Sequence, residues 1–219
     1  RWLEGQFKAI ATASQRDLRV EVETFEAPPM ARLPKGARLA NVVAVLPGKD
    51  PAAAKRAYYV VGHYDSRNAD ALDGAGDAPG ANDDASGVAV VLECATALAQ
   101  AAPLDATVVF LCTSGEEAGL VGARRHAQQI AGVRGYELVA ALNNDIVGDP
   151  SPLFVAPDSA PNSPGAPAPH LVRVFSEGLA RSAAPDEIKR YAAEGAESDS
   201  PSRQLARYVA YVATREGLA

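Results

Sequence analysis

At 219 residues, 47% of them hydrophobic and 22% charged, the chain has the length and balance of one soluble globular domain with a real core. The net charge of −6, with no Lys/Arg cluster, excludes a nucleic-acid surface, and no apolar run approaches the length of a membrane span. The two cysteines, Cys94 and Cys112, define no disulfide framework and read as buried thiols; the start on Arg1, with nothing resembling a signal peptide, reads as a processed or truncated chain.

Residues 1–16 predict a short helix with Trp2 or Leu3, Phe7 and Ile10 on one face. Residues 18–25 alternate as a half-exposed strand. After a Pro- and Gly-marked loop, residues 40–46 form a second strand. Residues 58–61 are a third, buried strand, and His63 stands just past its end. A polar loop rich in Gly and Asp runs over 64–84. A helix over 86–101 follows, with Val88, Val91, Leu92, Ala95 and Leu98 inward and Asp84 or Ser86 able to cap it.

Thr107-Val108-Val109-Phe110-Leu111 is rich in β-branched residues and reads as a buried central strand. Ser114-Gly115 ends it, and Glu116 and Glu117 follow. A helix over 120–130 and a strand over 138–143 complete an alternation of strands and helices. That alternation predicts an α/β fold, a three-layer sandwich with a central mixed sheet between helices, as one domain over 1–219. Residues 150–169 read as an irregular Pro/Ala/Ser insertion. Helices are predicted over 170–180 and 202–216, the latter with Leu205, Val209 and Val212 inward.

Three strand ends carry the same kind of residue: His63 and Asp65, Glu116 and Glu117, and Asp145. Functional crevices in open α/β sheets lie at the carboxyl ends of the strands, so a shared site is expected. Asp83 and Asp84 add two acids just before a helix. Adjacent carboxylates repel, and burying them is costly unless a cation or proton compensates. Oxygen and imidazole donors without thiolates suit zinc, and the HExxH pattern of another zinc class is absent. The spacing suggests a two-metal site with one bridging carboxylate.

At GHYDS (62–66), PGANDDASG (79–87), TSGEEAGLVG (113–122) and NNDIVGD (143–149), in that order, the chain resembles the co-catalytic zinc peptidases of family M28. That family includes leucyl aminopeptidases, glutamate carboxypeptidases and glutaminyl cyclases. The resemblance implies that His63 and Asp145 bind one zinc, that Glu117 binds a second, and that Asp83 bridges both. It implies Glu116 as the general base and Asp65 as the carboxylate orienting His63. Asp84 competes with Asp83 for the bridging role; Asp83 occupies the family's ligand position, and Asp84 suits a helix cap.

The family's second zinc takes a further histidine late in the domain, and the chain has only His63, His126 and His170. His126 reads as a helix-surface residue and His170 as a helix start. The chain therefore reads as truncated at its C-terminal end, holding one zinc well and a second weakly, and is expected to show little or no peptidase activity by itself. The implied activity is that of a zinc-dependent exopeptidase, foremost an aminopeptidase acting on peptide or aminoacyl substrates and exported to a secreted or periplasmic location. A glutaminyl cyclase and a non-catalytic peptidase-like binding domain are the alternatives.

Overall fold

Strand β4 (Thr107–Thr113) is buried at every position, as its apolar, β-branched sequence requires of a strand covered on both faces. In this computed structural model, which describes residues 1–14, 16–130, 132–148, 174–177, 183–194 and 200–217, the strand has neighbours on both sides. Strands β1 (Arg19–Ala27), β2 (Ala37–Leu46), β3 (Arg56–His63) and β5 (Glu137–Asn143) join it in the order β1-β2-β4-β3-β5. β1 and β2 are antiparallel, as are β2 and β4; β3 is parallel to both β4 and β5. The sheet is thus mixed, and the carboxyl ends of β3, β4 and β5 lie along one rim.

Strand alternation sorts the side chains into two cores. On one face, Val42, Ala44, Leu46, Val60, Val108, Phe110 and Cys112 meet helices α1 (Trp2–Ala13) and α2 (Ala85–Gln100). Leu3 and Phe7 of α1 and Val88, Val91 and Ala95 of α2 fill that layer. On the other, Val43, Val45, Tyr59, Val109 and Leu111 pack with Ile130, just beyond helix α3 (Val121–Ala127). This is the expected three-layer arrangement. β5 is an edge strand whose Leu138, Val139 and Leu142 are exposed.

The chain divides into two compact units, residues 1–148 and 149–219. The single domain over 1–219 stays an expectation. In the second unit, helices α4 (Pro185–Glu194) and α5 (Pro201–Arg215) are described. Ser200 caps α5 by accepting from Arg203 N at 3.2 Å, with Pro201 at the first helical position.

Some elements differ from the sequence reading. His63 is the last residue of β3 and not beyond it. α3 is shorter than 120–130: Leu120 sits at φ 61° and delays its start by one residue, and residues 128–130 are turn beyond its end. α4 is unanticipated: its sequence carries few apolar residues. Residues 174–177 are not helical, and the rest of the predicted helix over 170–180 lies outside the described residues, as does the insertion over 150–169. In α5, Leu205, Val209 and Val212 are only half-buried.

Burial pushes the Cys112 thiol up to about 12, so it should resist maleimide at neutral pH until the protein unfolds. Phe110→Ala should destabilise the fold by about 3–5 kcal/mol in urea unfolding, because Phe110 is wholly buried in the layer beneath α1 and α2. Val133→Ala, at an exposed position, should stay within about 0.5 kcal/mol.

Candidate metal centre

His63 is delivered by the end of β3 and is 3% exposed. Its Nδ1 meets the main-chain carbonyl of Asp65 at 3.0 Å. Donation from Nδ1 to that carbonyl leaves Nε2 presenting its lone pair, which is how a metal-ligating histidine is oriented. Two carboxylates converge on Nε2: Asp83 Oδ1 at 3.1 Å and Asp145 Oδ1 at 4.0 Å. Both acids are close to half exposed, so the three donors open to solvent.

Asp145 reaches this place because the chain after β5 is stitched to the loop before α2. Ile146 N donates to Asp84 Oδ1 at 3.3 Å, Val147 N to Ser86 Oγ at 3.1 Å, and Gly148 N to Asn82 Oδ1 at 3.0 Å. Ile146 carries φ 52°, a left-handed conformation that a β-branched residue adopts only when its surroundings impose it. Gly87 permits the close approach. A Cβ there would collide with the main-chain oxygen of Asn144 and with the Asp84 carboxylate.

Asp83 and Asp84 divide the work. The Asp84 carboxylate is 1% exposed and accepts from His63 N at 3.0 Å and from Gly87 N at 3.0 Å, besides Ile146 N. Asp84 is therefore the cap of α2 and the clamp that joins three segments of the site. His63, Asp84 and Asp145 also form a cluster whose ligand atoms lie within 4.8 Å of one another. Three main-chain N–H groups already use both Asp84 oxygens, whereas Asp83 is open, which favours Asp83 as the donor toward an ion. Burial raises the Asp84 carboxyl, although the N–H groups of His63 and Gly87 pull it down.

The loop after β4 brings Glu116 and Glu117. Asp65 reaches across to it, its Oδ1 accepting from Glu116 N at 3.1 Å and its Oδ2 from Glu117 N at 3.2 Å. The Asp65 carboxylate lies 3.8 Å from His63 Nδ1, so the contact orienting the imidazole is the Asp65 main chain, and its side chain holds the glutamate loop. Burial lifts the Glu116 carboxyl above its ordinary range, opposed by His63 and reinforced by Glu117, Asp145 and Asp65. Burial alone would lower His63, but Asp84, Asp65 and Glu116 together carry it upward.

Glu117 pairs with Arg67, Nε to Oε2 at 2.8 Å, and Arg32 donates to its main-chain oxygen at 3.1 Å. Arg67 is a site residue absent from the sequence reading; a lone cation in an acidic loop is its only signal there. His126 requires a correction. It is 1% exposed, not on a helix surface, because its Nδ1 donates to Glu23 at 2.9 Å inside the α3 layer. His170 lies outside the described residues. The donor chemistry around Nε2, one imidazole and two carboxylates, fits a zinc ion.

A sequence model of Peptidase family M28 matches residues 41–204. The chain belongs to this family. Curated relatives include a probable zinc metalloprotease of Pyricularia oryzae, 38% identical over 96% of this chain and 39% of that protein. Another, from Leptosphaeria maculans, is 35% identical over 97% of this chain and 46% of its own length. The chain thus spans less than half of these relatives. Among solved structures, Porphyromonas gingivalis glutaminyl cyclase matches with a TM-score of 0.54 at 22% identity, over 68% of this chain and 52% of that one. A leucine aminopeptidase precursor from Bacteroides thetaiotaomicron matches with a TM-score of 0.52 at 21% identity, over 68% and 53%. These two likenesses establish that this M28 chain shares their fold.

The division of work between the adjacent acids can be tested on zinc affinity and stability together. Asp83→Ala should weaken zinc binding at least tenfold with little loss of stability. Asp84→Ala should cost a few kcal/mol, since a lost cap costs about 1 kcal/mol and each stranded buried N–H about 1–3 kcal/mol. A destabilised Asp83→Ala that still binds zinc normally would reverse the assignment.

Proposed function

We propose that this chain carries the hydrolytic centre of a zinc-dependent exopeptidase, most simply an aminopeptidase. The observation that carries the reading is the convergence of Asp83 and Asp145 on the free nitrogen of His63, beside a glutamate whose carboxyl is raised by burial. Family membership and the naming of two relatives as zinc metalloproteases support it. The preference for the amino end, and an exported location, rest on the family likeness alone.

His63, Asp83 and Asp145 would hold one zinc; Asp83 and Glu117 would share a second. Zinc supplies Lewis acidity, polarising the scissile carbonyl and making water acidic. Glu116 accepts the proton of the attacking water and returns it to the leaving amine. Its raised carboxyl suits both steps, since a base that binds its proton too weakly cannot take one up. Asp65 keeps Glu116 in place through the main chain, and its own carbonyl keeps the His63 imidazole from turning.

Metal-to-ligand charge accounts for the crowding of acids. Asp65, Asp83, Asp84, Glu116, Glu117 and Asp145 gather around His63 and Arg67, and dications offset their repulsion. Among the described residues, a second ion would find two carboxylate donors, where a catalytic zinc commonly has three protein ligands. Equilibrium dialysis should therefore find one zinc bound tightly by this chain and a second bound weakly. Tight binding that survives His63→Ala would remove the primary site from His63.

The decisive assay is hydrolysis of aminoacyl-nitroanilides and N-terminal glutamine peptides by the whole zinc-loaded protein, since little turnover is expected from the 219 residues by themselves. Free amino acids are the expected products; pyroglutamate would point to cyclisation, and no turnover at all to a binding domain. Glu116→Gln should lower the rate by about 10²–10⁴-fold while zinc content stays unchanged. Full activity in that variant would dismiss Glu116 as the base.

A further inference from the structure

Beneath the glutamate loop lies a buried polar chain that the proposed chemistry does not use. Asn41, on β2, is 0% exposed in a strand of otherwise apolar inward residues. Its Oδ1 accepts from Ser114 N at 3.2 Å, and its Nδ2 donates to Gly122 O at 3.0 Å. Ser114 and Gly122 are the two stems of the loop that carries Glu116 and Glu117. They also bond to each other, Gly122 N donating to Ser114 O at 2.9 Å. Contact is close enough to demand glycine: a Cβ on Gly122 would collide with both Asn41 Oδ1 and Ser114 O.

Asn41 is itself held. Its Nδ2 also donates to Glu23 Oε2 at 3.1 Å, and the same oxygen accepts from His126 Nδ1 at 2.9 Å. Arg134 adds a guanidinium nitrogen 3.9 Å from that oxygen. His126 Nε2 pairs with the Tyr59 hydroxyl at 3.3 Å, and the two rings meet edge to face at 5.5 Å. Burial would raise Glu23, but the hydrogen bonds from His126 and Asn41 outweigh it and hold the carboxyl below its ordinary value. Glu23 therefore remains an acceptor for both donors. Tyr59 lies four residues before His63 on the same face of β3, so the chain links the strand bearing the imidazole to the loop bearing the glutamates.

We propose that Asn41, backed by Glu23 and His126, is a positioning residue that sets the Glu116–Glu117 loop against His63. The proposal rests on the hydrolytic reading for its catalytic consequence, though not for its structural one. Asp65 holds the loop from the solvent side by its two N–H groups, and Asn41 holds its stems from within. A buried polar network joined by directional bonds favours one arrangement, whereas an apolar packing at the stems would tolerate several. The Asn41 amide is suited because it has both a donor and an acceptor to divide between the two stems.

The test compares Asn41→Ala, Asn41→Asp and the double variant Asn41→Asp/Glu23→Gln with Phe110→Ala, a core variant of comparable instability. Amide hydrogen exchange is read first, on zinc-free protein. Asn41→Ala should speed exchange at Glu116, Glu117 and Gly122 at least tenfold while Val109 and Leu111 of β4 change no more than in Phe110→Ala. Asn41→Asp sets two carboxylates face to face and should be as disruptive. The double variant restores a donor opposite the acid at position 23 but leaves Gly122 O facing a carboxylate, so protection at Gly122 should stay lost. Zinc competition titration should show the weaker site loosened tenfold or more and the tighter site unchanged. In the peptide assay kcat should fall with KM nearly constant, which a general loss of stability would not produce. Uniform exchange across loop and β4, or full protection of the loop in the double variant, would overturn the proposal. Absence of peptidase activity in the parent protein would instead sink the hydrolytic reading, leaving the exchange and zinc results to decide this one.

Discussion

Electrostatic repulsion among carboxylates at one rim of the sheet is the constraint on which the rest of the structure depends. Asp83, Asp84, Glu116 and Asp145 all stand near enough to His63 to contact it or to shift its protonation, or that of its neighbours. Like charges at such separations disfavour ionisation, and burial compounds the effect. The fold offsets this with main-chain N–H groups before any metal is considered. Asp84 takes three of them and Asp65 two. Acids aimed inward are satisfied by the backbone; those aimed outward, Asp83 and Asp145, are left for a cation.

That division follows from topology. β3 and β4 are parallel, joined by α2, and β5 pairs with β3 on its other side. Their carboxyl ends therefore meet, and α2 begins beside them with its N-terminus directed at the same place. A helix start offers free N–H groups and a partial positive charge, which favours an acid at its cap. Asp84 is that acid, and its carboxylate is spent on architecture. Its neighbour Asp83 turns its own carboxylate to His63.

Sequence alone suffices for the strands and for expecting His63, Glu116, Glu117 and Asp145 at one rim, since apolar runs and strand-end acids are local signals; the division of roles between Asp83 and Asp84 is an implication of the family resemblance. The buried run 107–111 reads as a central strand because nothing polar interrupts it, and β4 is central. Tertiary signals are not legible in the same way. Asn41 in ANVVAVL resembles a polar residue at a strand entrance, and Glu23 resembles the exposed half of an alternating strand. Each is buried only because the other, with His126, supplies its partner. His126 escapes the sequence reading for the same reason. Its helix has basic neighbours, Arg124 and Arg125, that do face solvent, and one-dimensional periodicity over so short a helix cannot single out one inward residue.

Arg67 shows how the same electrostatics shape the second half of the site. Its guanidinium holds Glu117 Oε2 at 2.8 Å while remaining about half exposed, and Glu117 is largely covered. A covered carboxylate beside Glu116 needs a countercharge, and a half-exposed arginine supplies one that can be given up at small cost, because water solvates a released guanidinium. Among the described residues, the nitrogen facing Asp83 and Asp145 is instead Nε2 of the His63 imidazole, at 3.1 Å and 4.0 Å. A dication entering the centre thus meets two kinds of donor. Around His63 the donors already converge on one point, so little rearrangement accompanies binding. At Glu117 a cation must compete with Arg67 for the carboxylate, and the affinity there is the difference between two attractions. The proposed asymmetry between a tighter and a looser position would therefore arise within the described residues themselves, from where the fold placed the Arg67 guanidinium.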